Sequence, residues 1–360
     1  MRPDTWKRRD MIVRSRSPVN AEPPASALAE DDITATNAFY CRNHGPIPDI
    51  AAKRWRLRVD GAVARPLELT YHELTTRFPA HDVVATLACA GNRRAELLKV
   101  RPIPGKDPWA QGAISTAAWR GARLADILRA AGVTPADGLH VAFDAPDVAQ
   151  EACPVQTYGS SIPLGKALSG DVLLAWQMNG EPLPRLHGGP VRVVVPGFIG
   201  ARSVKWVIGI TVQPCESRNY FQAVDYRLLP ADPDPGEAGI ALSSLALSCG
   251  ILVPDDGATV PAGPLSVRGY AIADDSRRVA RVEVSVDGGA SWRPAALRPG
   301  RSRWAWRPWT CTVAAQPGPL RVVARAWDDT GATHPESPAA LWNPGGYANN
   351  SWPRVDVTVR

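Results

Sequence analysis

No two of the six cysteines, at positions 41, 89, 153, 215, 249 and 311, form a Cys-x-x-Cys pair. That argues against a disulfide scaffold and against a tetrathiolate zinc site. No stretch approaches the roughly 20 consecutive apolar residues that cross a bilayer. The basic opening, Met1-Arg2-Pro3-Asp4-Thr5-Trp6, leads into no apolar run, so a secretory signal is not expected; the chain reads as cytoplasmic, without a membrane partner. Nor do basic residues gather into a stripe interleaved with stacking aromatics, so no nucleic-acid partner is expected. The dense cluster Lys7-Arg8-Arg9 reads as a solvated tail, and residues 15–30, rich in Pro, Ala and Glu, read as extended along the surface. A dinucleotide fingerprint and the Lys-Ser/Thr ending of a phosphate-binding loop are both missing, which disfavours nucleotide binding.

What the chain does have is a globular composition. Its 360 residues are 45% apolar and 21% charged, with a net charge of +6 from 41 Lys and Arg against 35 Asp and Glu. This length exceeds the size at which a single core keeps growing, so two domains are expected. Alternation from Trp55 to Val63 predicts a strand running into a turn. Thr70, three residues ahead of Glu73, predicts a capping-box start to a short helix. Val83-Val84-Ala85-Thr86-Leu87 reads as a strand whose end delivers Cys89 into a glycine-containing loop. The second half of 115–128 has helical spacing closed by Gly132, and further strands are expected at 138–143, 171–178, 191–196 and 204–210. From Ile251 the texture changes to short β-rich segments, among them 265–271, 279–286, 304–306, 320–327 and 355–359, separated by Pro, Gly and Asp. That is the pattern of an antiparallel sandwich. The expected architecture is α+β: an extended segment over 1–32, a mixed α/β body over 33–245 and an immunoglobulin-like β-sandwich over 246–360.

Three clusters carry chemistry. Cys89-Ala90-Gly91-Asn92-Arg93-Arg94 places a soft nucleophile beside two guanidinium groups, which suits a metal-thiolate centre handling an oxyanion. No other Cys or His stands at metal-site spacing, so a metal here would take its remaining ligands from water, oxo groups or an organic cofactor. Spacing alone leaves three readings of Cys89 open: a metal ligand, a catalytic thiolate activated by Arg93 and Arg94, or a buried residue. Arg42-Asn43-His44-Gly45-Pro46 is a polar turn after Phe39-Tyr40, in which Arg42 either clamps an anion or is a surface arginine. His187-Gly188-Gly189-Pro190-Val191-Arg192 and Gly200-Ala201-Arg202-Ser203-Val204-Lys205 set basic and imidazole groups around glycines, as an anion nest or as plain glycine-rich turns.

These runs, with Gly112-Ala113-Ile114-Ser115-Thr116, Tyr158-Gly159-Ser160-Ser161-Ile162-Pro163 and Met178-Asn179-Gly180-Glu181-Pro182, resemble the sulfite oxidase family of molybdenum enzymes over residues 33–360. The resemblance implies a molybdopterin-binding domain followed by a dimerisation sandwich, and hence a homodimer. It implies a Mo-molybdopterin cofactor whose metal is ligated by Cys89. It further implies that Arg42, Arg94 and Tyr226 line the substrate pocket, with Trp109 shaping its wall. Cofactor contacts are implied for Tyr40, Asn43, His44, Asp147, His187, Arg192, Ser203 and Lys205. The expected reaction is oxidation of sulfite to sulfate, with the arginines neutralising the dianion and the protein positioning the cofactor. No haem domain is read in this chain, so electrons are expected to pass to oxygen or to a separate acceptor such as a cytochrome. One departure stands out: Trp342-Asn343-Pro344-Gly345-Gly346 has Gly345 where many family members have an arginine, so weaker binding of a dianion is expected. The alternatives are therefore sulfoxide reduction or oxidation of an organosulfur compound, and, outside enzymes, a two-domain binding protein with a merely buried Cys89.

Overall fold

The computed structural model describes residues 6–274 and 276–360. The chain opens with a hairpin of β1 (Ile12–Arg16) and β2 (Val19–Glu22). It continues through β3 (Arg56–Gly61), β4 (Leu67–Thr70), α1 (Tyr71–Arg77), β5 (Ala80–Ala88), α2 (Arg94–Leu98), β6 (Ile114–Arg123) and α3 (Leu124–Ala130). Next come β7 (His140–Ala149), β8 (Gln156–Pro163), α4 (Leu164–Ala167), β9 (Leu173–Met178), β10 (Glu181–Pro182), β11 (Arg192–Val194), β12 (Gly209–Gln213) and α5 (Tyr220–Ala223). Two sheets result: β10-β9-β6-β5, with β11 also on β9, and β4-β3-β12-β7-β8, in which only β3 and β12 run parallel.

Local chemistry accounts for the elements that set up the site. Thr70 caps α1 as the spacing predicts, its hydroxyl accepting from the Glu73 N–H at 3.1 Å while the Glu73 carboxylate accepts from the Thr70 N–H at 2.9 Å. The expected helical stretch after residue 115 divides: the strand β6 runs to Arg123 before α3 begins. β5 pairs with β6 from Ala80↔Ala122 to Ala88↔Ile114, and its last four residues are buried. That end is the most constrained part of the strand, and Cys89 follows it directly. The strand expected over 204–210 starts only at Gly209: residues 204–208 bond singly to several segments, the Val204 carbonyl to the Val193 N–H and the Val207 N–H to the Val191 carbonyl, and the left-handed Trp206 (φ 51°) breaks any continuous ladder.

A short hairpin of β13 (Arg227–Leu228) and β14 (Ile240–Ala241) leads to the second domain. There β15 (Ser248–Val253), β16 (Thr259–Val260), β17 (Gly263–Ile272), β18 (Val279–Ser285), β19 (Arg293–Pro294), β20 (Ala296–Leu297), β21 (Arg307–Ala315), β22 (Gly318–Asp328) and β23 (Arg354–Val359) form two sheets, β15-β17-β21-β20 and β16-β23-β22-β18-β19. Their facing sides enclose Val267, Trp309, Val313, Val322, Ala324 and Val357. The molecule is thus α+β with a β-sandwich as its second half. Residues 304–306, expected as a strand, are instead a turn that joins the domains: the Trp306 N–H donates to the Thr86 hydroxyl at 2.9 Å, and the Thr86 N–H donates to the Trp304 carbonyl at 3.0 Å.

The N-terminal segment is the clearest correction. Instead of lying extended on the surface, its hairpin tucks Asn20, Ala21 and Glu22 into the first domain. The buried Glu22 carboxylate accepts from the Ala110 and Gly112 N–H groups, each at 2.8 Å, and Ala21 bridges to Cys41. Lys7, expected in a solvated tail, is half-buried and bonded into the first domain, as described below.

Candidate active site

Cys89 is held by the backbone on both sides. Its N–H donates to the Ala113 carbonyl at 2.9 Å, extending the β5–β6 ladder by one residue, and its carbonyl accepts from the Asn92 N–H at 2.9 Å. The side chain is 8% exposed, and the Gly91 N–H points to its sulfur at 3.4 Å. Burial pushes the thiol's pKa up, while Arg94 and Arg42 pull against that. A thiol in this setting stays protonated on its own, whereas a metal bound to it would take the thiolate directly. This speaks against the reading of Cys89 as a free catalytic nucleophile. Arg93 is also excluded from such a role: its backbone is left-handed (φ 63°), and its guanidinium turns away to the Glu96 carboxylate at 2.7 Å and the Ser351 carbonyl at 2.6 Å.

Beside the sulfur lies a hollow of about 650 Å³, its solvent-open mouth included. Tyr40, Arg42, His44, Asp147, Tyr158, His187, Arg192, Ser203, Lys205 and Tyr226 line it together with Cys89. The glycine-rich turns bring the cations here. Arg192 donates to the His187 carbonyl at 2.9 Å and the Ser203 carbonyl at 2.8 Å, and Lys205 donates to the Arg42 carbonyl at 2.9 Å and to the Asn43 amide oxygen. Gly188, at φ +107°, lets these chains converge, since a Cβ there would come within 3.0 Å of the Arg192 and Lys205 side chains. Burial lowers Arg192 to about 10 and lowers Lys205 also, with Arg192 adding repulsion. His44 and His187 are driven far below the usual imidazole range, first by burial and then by neighbouring cations, so both rings are neutral.

Asp147 lies in a stretch of β7 where the register shifts between Asp144 and Val148, and it falls on the buried face of the alternating strand while Asp144 is exposed. Burial raises the Asp147 carboxyl, and Lys205 works the other way. One of its oxygens, Oδ1, is buried without a hydrogen-bond partner among the described residues. A buried orphan acceptor calls for a donor from outside the protein. Gly200 leaves room in the same place, because a Cβ there would sit 2.7 Å from the Tyr40 hydroxyl. Cationic side chains, neutral imidazoles and an unpaired carboxylate oxygen match a ligand with a phosphate at one end and ring N–H or amino donors elsewhere. A pterin cofactor bearing a phosphate has those groups.

A second hollow adjoins the first and shares Cys89, Arg42 and Tyr226 with it; its further lining includes Arg94, Lys106, Asp107, Glu151 and Tyr347. Arg94 is fixed here by the Gly345 and Gly346 carbonyls, which accept from its Nε at 3.2 and 3.0 Å, and by the Asp107 carbonyl at 3.0 Å. Arg42 reaches the Glu151 carboxylate at 3.2 Å. Tyr226, another left-handed residue (φ 52°), meets the His44 ring nitrogen at 2.7 Å; its hydroxyl is kept protonated by burial. Lys106 pairs with Asp225 at 3.0 Å and donates to the Tyr347 hydroxyl at 3.1 Å.

Two residues expected at the pocket surface act from behind it. Trp109 is fully buried and outside both linings; its carbonyl accepts the Ala95 N–H at 2.9 Å, which anchors α2 and so Arg94. Asn43 is also fully buried and holds Lys205. Conversely, Lys7, Lys106, Glu151, Tyr158 and Tyr347 were not expected. Tyr158 stacks on His44 at 4.5 Å and donates to the Ala201 carbonyl at 2.7 Å; its motif was visible in the sequence, but the others gave no local signal. Among the described residues no group of three His, Cys, Asp or Glu side chains stands ready to hold a metal.

The fold and these hollows define a molybdopterin-binding oxidoreductase: residues 44–221 match the oxidoreductase molybdopterin binding domain and residues 240–360 the Mo-co oxidoreductase dimerisation domain. The chain belongs to the sulfite oxidase family. It is 46% identical to the sulfite oxidase of Gallus gallus over 95% of this chain and 76% of that one, and 37% identical to that of Arabidopsis thaliana over 95% and 92%. Among solved structures, the sulfane dehydrogenase SoxCD from Paracoccus pantotrophus superposes with a TM-score of 0.80 at 28% identity, covering 95% of this chain and 85% of that one. The chain spans 65% of the mitochondrial sulfite oxidase of Mus musculus.

Proposed function

We propose that this chain oxidises sulfite to sulfate as the molybdenum-bearing part of a homodimer. Sulfite and water yield sulfate, two protons and two electrons. The bound molybdenum cofactor supplies the oxygen transfer and accepts the electrons, and its metal takes the Cys89 thiolate. The observation that carries the reading is that this one cysteine borders both a hollow fitted to a phosphate-bearing pterin and an adjoining hollow to which Arg94 is added, with Arg42 and Tyr226 shared by the two. Arg42 and Arg94 balance the substrate charge in a site shielded from water, where such charges act strongly. The Tyr226 hydroxyl, which stays protonated, donates a hydrogen bond to substrate oxygen, and the neutral His44 ring 2.7 Å away orients that hydroxyl without taking its proton. Tyr40, His44, Asp147, His187, Arg192, Ser203 and Lys205 hold the cofactor, with Asn43 fixing Lys205. Electrons leave to oxygen or to a separate acceptor such as a cytochrome.

The test is molybdenum per chain on purified protein, with sulfite turnover measured separately against oxygen, ferricyanide and cytochrome c. Stoichiometric metal and turnover with at least one acceptor are expected, and metal-free protein overturns the reading. Sedimentation is expected to give the mass of two chains. A second reading has specific support. Glu151 faces Arg42, Asp225 pairs with Lys106, and Gly345 contributes only its carbonyl to Arg94. The substrate hollow therefore holds less net positive charge than its basic residues suggest, and a less charged sulfur compound fits it. Turnover of such a compound above that of sulfite in the loaded protein favours this second reading.

A further inference from the structure

Lys7 lies 180 residues from His187 in sequence, yet its ammonium group meets the His187 Nε2 at 2.8 Å. The same nitrogen donates to the Thr36 carbonyl at 2.8 Å and the Phe39 carbonyl at 2.6 Å. The Cys41 thiol also faces this ammonium, and because an ammonium has protons but no lone pair it can only donate toward His187. His187 must therefore accept at Nε2, and the neutral ring carries its proton on Nδ1. Which nitrogen of a histidine donates is set by the bond the other one makes.

The contacts around Lys7 extend this constraint to the loop that carries the cofactor residues. Trp6 lies edge-on to the His187 ring at 5.7 Å, Phe39 does the same from another side at 5.3 Å, and the Arg8 N–H donates to the Asn37 carbonyl at 3.2 Å. Farther along, Asn20 in β2 accepts the Asn43 N–H at 2.7 Å, and the Asn43 side chain donates to the Val19 carbonyl. The N-terminal segment thus grips residues 36–43 at both ends, and Tyr40 and Arg42 lie between the grips. Lys7 is half-buried, and loss of water lowers its pKa to about 8 while the Cys41 thiol pulls the other way. Among the described residues no carboxylate pairs with it, which is unusual for a lysine in a surface tail.

We propose that Lys7 is a positioning residue for the pterin end of the cofactor: it fixes His187 as the Nδ1–H donor and straps the 36–43 loop over the cavity. The inference rests on the cofactor reading above. Lys7→Met keeps the length of the chain and removes all three donors. In the full-length loaded protein it is expected to release cofactor at least fivefold faster than wild type. Release is read as molybdenum remaining per chain after timed dialysis and as fluorescence of the freed, oxidised pterin. Lys7→Arg is expected to restore retention in part. Nitrogen-15 spectra of the histidine rings in the wild-type protein supply a readout that needs no variant: the His187 Nε2 is expected to be unprotonated and Nδ1 protonated. A wild-type ring protonated on Nε2 overturns the proposal, as does retention in Lys7→Met equal to that of wild type. If Lys7→Met does not fold, the wild-type ring state and the Lys7→Arg release rate decide. Wild-type protein without molybdenum would instead strike at the cofactor reading, and the ring state would still judge the Lys7 contact.

Discussion

Arg42 meets a carboxylate before any substrate arrives, so an anion entering the second hollow has to compete with Glu151 for its guanidinium. Removing that competitor tightens binding: Glu151→Gln is expected to lower KM for sulfite by two- to fivefold with little change in kcat, consistent with about 0.5–1 kcal/mol for a solvent-reachable ion pair. Arg42→Gln is expected to cost about 2–3 kcal/mol of kcat/KM, the range of a hydrogen bond to a charged group, and to blunt inhibition by added sulfate. Unchanged inhibition in that variant would count against an anionic substrate. Cys89→Ser replaces a soft ligand with a poorly ionised hydroxyl; metal analysis is expected to find molybdenum far below one per chain. At this scale much was legible, because Cys89, Arg42, Arg94 and the glycine-flanked cations stand in short runs whose residue types carry the chemistry. Glu151, Lys106 and Tyr347 were not, since each acquires its role from a partner distant in the chain. Arg93 misled, because adjacency to Cys89 says nothing about the direction a left-handed residue sends its side chain.

Among the elements, β7 shows how strand alternation serves a site. Burial alternates along it straight through the register shift, with Ala145, Asp147 and Ala149 inside, so Asp147 falls on the hollow side and Asp144, three residues earlier, on the opposite face. The exit of β22 shows the same economy in the sandwich. Asp328 accepts from the Thr330 N–H at 2.9 Å, the Thr330 hydroxyl at 2.7 Å, the Ala332 N–H at 3.0 Å and Arg277 at 2.9 Å. Burial works against its charge, but these bonds more than offset that and hold its pKa at about 2. A carboxyl depressed on folding adds stability above its unfolded pKa of about 4 and loses it as pH falls through the folded value. Asp328→Asn is thus expected to lower the melting temperature at pH 7, with the gap from wild type closing between about pH 4 and pH 2. Equal gaps at both ends of that window would show that the charge is not what matters. The strand and helix pattern was readable where one face is buried and the other wet, as in β23. It failed at 204–210 and 304–306, where apolar residues serve a loop and a domain joint instead of a ladder.

For the whole molecule, the two domains are joined through groups that no local pattern announces. Arg93, fully buried, ties the loop after Cys89 to Ser351 and, at 3.4 Å, to the Cys249 carbonyl of the sandwich. Asn349 reaches back to the Arg93 carbonyl at 2.9 Å. Cutting one partner of a buried charged network typically costs about 3–5 kcal/mol. Arg93→Met is therefore expected to split one calorimetric unfolding transition into two, with the sandwich melting apart from the first domain. A single transition at the wild-type temperature would mean that the apolar joint around Trp306 suffices. The sandwich itself was visible from its turn spacing, but its docking was not, because the joining residues are scattered from Asp32 to Ser351 and meet only in the folded chain.

Cys89, Arg42 and Tyr226 border both hollows, so a prosthetic group bonded to that sulfur would face the space its substrate enters. Arg42 and Tyr226 would then meet the resident group and the arriving anion alike, and a change at either is expected to disturb retention and turnover together.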